Sequence, residues 1–207
     1  LTSAIGRLAV ALAVSVGVLS CSDRTSESVT DTARVVTVRD GDTIELDDGR
    51  VVRYIGINTP ERGKPGADSA TALNTALVMG KKVRLQFGHD RVDRYGRTLA
   101  FVLADDVCVN EALVRAGWAW CYFFEGNLLD SDRLVLALQE AMDARRGLWR
   151  EASGAADTPY IGSFLGHRFH YPECASVAAI ELEYELQFIS RDSAFYYGYA
   201  PCANCAP

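Results

Sequence analysis

At 207 residues the chain has room for one medium-sized domain and a small second one. Its formal charge of −6 is uneven: residues 34–150 carry 17 basic and 17 acidic groups, residues 151–207 two and seven, and residues 1–33 two and three. That balance excludes a basic tail or a basic domain that would hold nucleic acid by bulk charge, so any phosphate affinity must come from a local basic site.

Residues 1–20 read as a signal peptide. Arg7 precedes an apolar run from Leu8 to Leu19, which is short for a membrane span and suits a signal-peptide core. Val18-Leu19-Ser20-Cys21 resembles a bacterial lipobox. The resemblance implies cleavage before Cys21 and a lipid on its thiol; a plain secretory signal with a chance cysteine is the other reading. Residues 21–33 are polar and read as a flexible tether. The chain is thus expected outside the cytoplasm of a bacterium, as a membrane-anchored lipoprotein or a secreted protein.

Residues 34–150 read as strands first and helices after. Strands are expected at Arg34–Arg39, Thr43–Leu46, Val51–Ile57, Lys82–Phe87 and Thr98–Leu103. The Asp47-Asp48-Gly49 turn makes a hairpin of the second and third. Helices are expected at Gly66–Met79, with Ala67, Ala70, Leu73 and Leu77 along a face, at Asn110–Ala116, and at Asp130–Arg146, with Leu134, Leu138 and Met142 four apart. Gly80, Gly117 and Gly147 stop them.

Chemistry concentrates between Val38 and Glu61. Asp42 and Glu61 are carboxylates, Arg53 is a charged planar fork, and Asn58 and the Thr59 carbonyl are neutral oxygen donors. A hard divalent cation takes several oxygens, and a phosphodiester suits an arginine. An ordinary hairpin with a solvated face, Arg53 pairing with Glu45 and Glu61 capping the next helix, reads equally well from this stretch alone.

With Asp93-Arg94-Tyr95-Gly96-Arg97 in view, the sequence resembles the staphylococcal thermonuclease family. The carriers are DGDTIEL (40–46), RYIGINTPE (53–61), DRYGRTLAFV (93–102), VNEALVRAGWA (109–119) and GLW (147–149), in order over about residues 34–150. The resemblance implies an α+β fold, mainly β: a five-stranded OB-type barrel with about three helices. It also implies calcium-dependent hydrolysis of phosphodiesters in DNA and RNA, leaving 3′-phosphates. Asp42 and the Thr59 carbonyl match calcium ligands of the family. Asn58 stands where the family has a second aspartate, which implies weaker binding or an altered metal preference. Glu61 matches the proposed general base, and Arg53 and Arg97 match the arginines that grip the phosphate. Tyr95 and Tyr122 offer faces for bases to stack on, while Phe123 and Phe124 suit the core. Asp93 and Gly96 shape the loop that presents Arg97. His89 needs no role beyond a solvated surface, and Cys108 and Cys121 are candidates for a disulfide.

After a linker at residues 151–159, the tail carries His170-x-x-x-Cys174 and Cys202-x-x-Cys205, two chelating pairs in a zinc pattern. Oxidation of the thiols outside the cytoplasm is the competing reading. The segments FHYPEC (169–174), FISRDSAFYYGYAPC (188–202) and NCAP (204–207) resemble the small zinc-binding module of Ada-type alkylation-repair proteins. There the first ligand is a methyl-accepting cysteine. His170 stands in its place and lacks that nucleophile, so the expectation for 160–207 is a small α/β module with structural zinc. His167 reads as a bystander.

The expected protein is therefore a calcium-dependent nuclease with a zinc accessory module. DNA and RNA are its substrates, the membrane its anchor, and it is a monomer without a defined protein partner. Two alternatives stand beside it: a nucleic-acid-binding module with weakened catalysis, resting on Asn58, and a lipid-tethered interaction protein that uses its acidic zinc tail.

Overall fold

The computed structural model describes residues 31–124, 128–151 and 155–207. The expected signal peptide, the lipid-bearing Cys21 and most of the tether lie outside the described residues. Among the described residues the chain forms twelve strands and four α-helices. In order these are β1 (Asp31–Val38), β2 (Thr43–Leu46), β3 (Val51–Tyr54), β4 (Gly56–Asn58), α1 (Ala67–Val78), β5 (Lys82–Gln86), β6 (Thr98–Ala104), β7 (Val107–Cys108), α2 (Val109–Arg115), β8 (Trp120–Tyr122), α3 (Ser131–Asp143) and β9 (Ala155–Ser163). The chain ends with β10 (Arg168–His170), β11 (Glu185–Ser190), α4 (Arg191–Tyr196) and β12 (Ala200–Pro201). Among the described residues no helix is long and apolar enough to cross a membrane.

Five strands close on themselves. β1 pairs antiparallel with β2 and with β5, β2 with β3, and β5 with β6; β3 and β6 then run parallel and shut the barrel. Alternation explains the packing: Val52 and Tyr54 point inward while Arg53 between them points out. Ala100, Phe101 and Val102 are all buried, so β6 is covered on both faces. The expected five-stranded OB-type barrel is present.

Several boundaries differ from the sequence expectation. β1 begins at Asp31, inside the stretch expected as tether. The strand expected over Val51–Ile57 is two strands, because Gly56 turns the chain at φ +75° and Leu134 Cδ1 lies 2.6 Å from where a Cβ would stand. The expected linker enters β9 at Ala155. Cys108 and Cys121 are free buried thiols on β7 and β8, not a bridge. Burial pushes the Cys121 thiol well up, as suits an inert core residue.

The tail forms a four-stranded sheet in the order β11-β9-β10-β12, with β10 and β12 parallel. It does not hang free. Phe169, Phe188, Ala194, Phe195 and Tyr199 share one continuous apolar core with the barrel layer. Gln139 of α3 donates to the Tyr196 carbonyl at 3.1 Å.

Candidate active site

The outer face of β3 and its neighbours carries the charged residues. Thr43 of β2 is opposite Arg53 of β3, so Asp42 sits at the strand entry beside it. Arg53 Nε meets Asp42 Oδ1 at 3.1 Å. Arg53 Nη2 donates to Asn58 Oδ1 at 2.6 Å, and Nη1 donates to the Ile57 carbonyl at 3.0 Å and to the Tyr54 carbonyl. The guanidinium is therefore fixed by four acceptors, none of them Glu45, which pairs with Arg39 instead.

Asp42 is buried and saturated with donors. Thr59 gives it a backbone N–H at 2.8 Å and a hydroxyl at 3.0 Å, both to Oδ2, and the Thr43 hydroxyl reaches Oδ1 at 3.1 Å. Burial pushes its carboxyl up, Arg53 pulls it down, Asp40 pushes it up and Thr59 pulls it down; the net direction is upward. Asn58, on β4, and buried Thr59, just past it, stand on the same side as Asp42. These oxygens are the right kind for a hard cation, although Asp42 and Asn58 bring one formal charge where two aspartates would bring two.

Glu61 follows two residues later. Its carboxylate is exposed and makes no hydrogen bond or ion pair among the described residues, and it does not cap α1, whose N-cap is Gly66. Its carbonyl accepts from Lys64 N–H at 2.9 Å, which starts the turn toward α1. An exposed carboxylate without a partner among the described residues is a group able to take a proton from water.

Arg97 enters from β6. Leu99 is opposite Arg53 in the parallel pair, and residues two apart on a strand share a face, so Arg97 is on the face of Arg53. Asp93 presents it: Oδ1 accepts the N–H groups of Tyr95 and Arg97, both at 2.9 Å, and Oδ2 accepts Arg97 Nε at 2.7 Å. Burial raises the Asp93 carboxyl, but these hydrogen bonds outweigh it and hold the group below the usual carboxylate range. Arg97 keeps its Nη groups unpartnered among the described residues. Gly96 turns the loop at φ +79°.

Tyr95 is 67% exposed, with the Arg94 guanidinium 4.8 Å and that of Arg97 5.5 Å from its ring centre. Tyr122 differs from expectation. The Arg168 guanidinium lies 3.8 Å from its ring centre, so one face is already covered by the tail. Phe123 is buried as expected, but Phe124 is exposed. His89 is an exposed loop residue that meets Asp90 at 3.1 Å.

Sequence reasoning missed the supports. Asn74 of α1 accepts from the Tyr54 hydroxyl at 2.8 Å and donates to the Asp40 carbonyl at 2.9 Å. Asn110 of α2 ties Val102 N–H to the Ile55 carbonyl. A Cβ on Gly41 would meet Ala70 Cβ and Thr59 Oγ1, both at 2.7 Å, so only glycine lets Asp42 approach Thr59. The available signal was a lone amide on an otherwise apolar helix face.

In the tail, His170, Cys174, Cys202 and Cys205 bring their ligand atoms within 4.8 Å of one another. A tetrahedral zinc ion with sulfur ligands at about 2.3 Å would space them by about 3.8 Å, so a small contraction suffices. The parallel register of β10 and β12 sets His170 beside Cys202. His170 Nδ1 is buried without a hydrogen-bond partner, an orphan that a metal would satisfy. Burial, then the Arg168 charge, lowers the imidazole pKa and favours its neutral, metal-binding form. The Ser176 N–H lowers the Cys174 thiol, while burial pushes Cys205 up to about 11. His167 is no bystander: its ring stacks on Tyr199 at 5.6 Å and meets Phe123 edge-on at 5.8 Å.

The model of the staphylococcal nuclease homologue family matches residues 51–151, which include Arg53, Asn58, Thr59, Glu61 and Arg97 and exclude the tail. An uncharacterized endonuclease of Escherichia coli is 40% identical over 124 residues, 58% of this chain and 77% of that protein. A thermonuclease of Staphylococcus hyicus is 35% identical over 127 residues, 57% and 75% of the two chains. The endonuclease YncB of Bacillus subtilis (strain 168) is 34% identical over 134 residues, 59% and 64%. The chain belongs to the staphylococcal nuclease homologue family. It is a nuclease, a hydrolase acting on phosphodiester bonds.

Proposed function

We propose that the chain is a calcium-dependent nuclease of DNA and RNA that works outside the bacterial cytoplasm. The observation that carries the catalytic part is the shared face of Arg53 and Arg97 on the β3–β6 pair, together with a Glu61 carboxylate that is exposed and unpartnered among the described residues. Arg97 offers its free Nη groups to a phosphodiester oxygen. Arg53, pinned by Asp42 and Asn58, offers a fixed positive field rather than a mobile fork. Glu61 takes the proton from the attacking water as negative charge develops on the phosphoryl oxygens, and the two guanidinium groups answer that charge. Calcium would be held by Asp42, Asn58 and the Thr59 carbonyl, and when bound it supplies further charge stabilisation. Tyr95 offers an exposed ring, flanked by the Arg94 and Arg97 guanidinium groups, to a base.

In the tail, zinc at His170, Cys174, Cys202 and Cys205 plays a structural part, and the histidine in first place removes any methyl-accepting thiolate. The apolar run Leu8–Leu19 followed by the lipobox-like Val18-Leu19-Ser20-Cys21 supports a lipid anchor, and the chain then acts as a monomer at the membrane. A second reading, a nucleic-acid binder without catalysis, draws on Asn58 in place of a second carboxylate and on the engagement of Arg53 by Asp42 and Asn58 within the fold. Cleavage of single-stranded DNA and of RNA by the full chain, with calcium omitted and then restored, separates the two. Cleavage that appears with calcium supports the nuclease; binding with no cleavage under any divalent ion favours the binder.

A further inference from the structure

β4 is the least supported strand of the active face. It has three residues, lies outside the closed barrel and pairs only with β8. It nevertheless carries Asn58 and Ile57, which hold two of the hydrogen bonds from Arg53. The pose of Arg53 therefore depends on where β8 sits.

β8 packs on α3 and also on the tail. Asn58 is opposite Trp120 in register, and the Trp120 ring meets Phe195 of α4 edge-on at 6.0 Å. Trp149 meets the same ring at 5.1 Å. Arg168 covers Tyr122 and donates to the Phe123 carbonyl at 2.9 Å. Behind Phe195, at 5.3 Å, stands Phe169, whose carbonyl accepts the Cys202 N–H at 2.9 Å and whose neighbour is His170. A line of direct contacts thus joins the cysteine–histidine cluster to Arg53.

The seam is conditional. Trp120 Nε1 and Trp149 Nε1 are both buried there without a hydrogen-bond partner, and opening the seam would give them water. Ring packing must outweigh that loss, and Phe195 and Arg168 are the tail residues that supply it. A module of this size has little core of its own and depends on a staple.

We propose that the tail's metal centre is a brace for the active site: metal at His170, Cys174, Cys202 and Cys205 fixes Phe195 and Arg168 on β8, which makes Trp120 a positioning residue for Asn58 and Arg53. The effect on cleavage rests on the nuclease reading above; the effect on β4 and β8 does not.

The test uses the full chain loaded with zinc, as wild type, Cys205→Ser, Phe195→Ala and Phe195→Leu. Zinc content, amide hydrogen exchange and kcat and KM on single-stranded DNA are measured together. Cys205→Ser is expected to lose zinc and to speed exchange of the Ile57 and Cys121 amides about tenfold or more, while the Val35 and Leu46 amides of the barrel keep their wild-type rates. Cleavage falls about tenfold in kcat/KM in parallel. Phe195→Ala reproduces the exchange and cleavage changes with zinc still bound, and Phe195→Leu recovers most of both. Zinc loss with unchanged exchange at β4 and β8 overturns the brace, as does equal acceleration in both strand pairs, which means global loosening. A wild type that does not cleave DNA sinks the nuclease reading, and the exchange comparison alone then upholds or overturns the brace.

Discussion

The barrel closes through five strand pairings around Ile44, Leu46, Val52, Leu85 and Phe101, whereas the tail closes through four strands, a cluster of rings and four metal-capable side chains. The barrel's cohesion is spread over many apolar contacts, each small, so losing one costs stability without changing the topology. The tail adds to its shared apolar core one concentrated cluster, His170, Cys174, Cys202 and Cys205. The two regions also differ in charge. The barrel domain is neutral and gathers its cations locally, on Arg53, Arg94 and Arg97, while the tail is acidic and repels phosphate. On the proposed reading the labour is divided: the barrel that meets nucleic acid is closed by its own strands, and the tail draws on a metal at its four ligand side chains as well as on the rings it packs against the barrel layer.

The sharpest way to break this comparison is to hollow the barrel. Phe101→Ala removes a fully buried ring from β6 and is expected to cost about 3–5 kcal/mol, seen as a lower midpoint in denaturant unfolding. A loss under 1 kcal/mol would mean that the barrel is not the self-sufficient region.

A middle-sized effect is expected at the seam between site and brace. Asn58→Asp adds a charge to the oxygen set beside Asp42 and is expected to tighten calcium binding about tenfold, or about 1.4 kcal/mol, by titration calorimetry. Unchanged affinity would show that the Asn58 oxygen faces only Arg53. The smallest effect belongs to the barrel surface. The Arg39–Glu45 pair at 3.0 Å is exposed on both sides, so Arg39→Ala should shift stability by less than about 1 kcal/mol.

Strand alternation and glycine stops are local signals and marked the barrel's elements, while their closure into a barrel was implied by the family resemblance. The family resemblance singled out Arg97, and its loop was legible because Asp93, Gly96 and Arg97 are close in the chain. The sequence did not reveal the break at Gly56, which depends on Leu134 arriving from α3 to fill the space beside it. Nor did it show that Asn58 holds Arg53, or that Asn74 and Asn110 stitch helices to the barrel, since each bond joins residues set apart by the fold. The cysteine–histidine spacing was plain in the tail, but the docking of that tail was not. Arg168 and Phe195 look like ordinary residues of a small module until β8 is set against them. Contacts between separately patterned regions leave no periodic trace in either one.

The most direct test of the catalytic assignment is single-turnover cleavage of single-stranded DNA by the full chain in calcium, wild type against Glu61→Gln. The exposed, unpartnered carboxylate predicts a variant that folds and binds DNA as the wild type does, with cleavage slowed about 10²–10⁴-fold. A folded Glu61→Gln protein that cleaves at the wild-type rate would contradict the assignment and move the general base elsewhere.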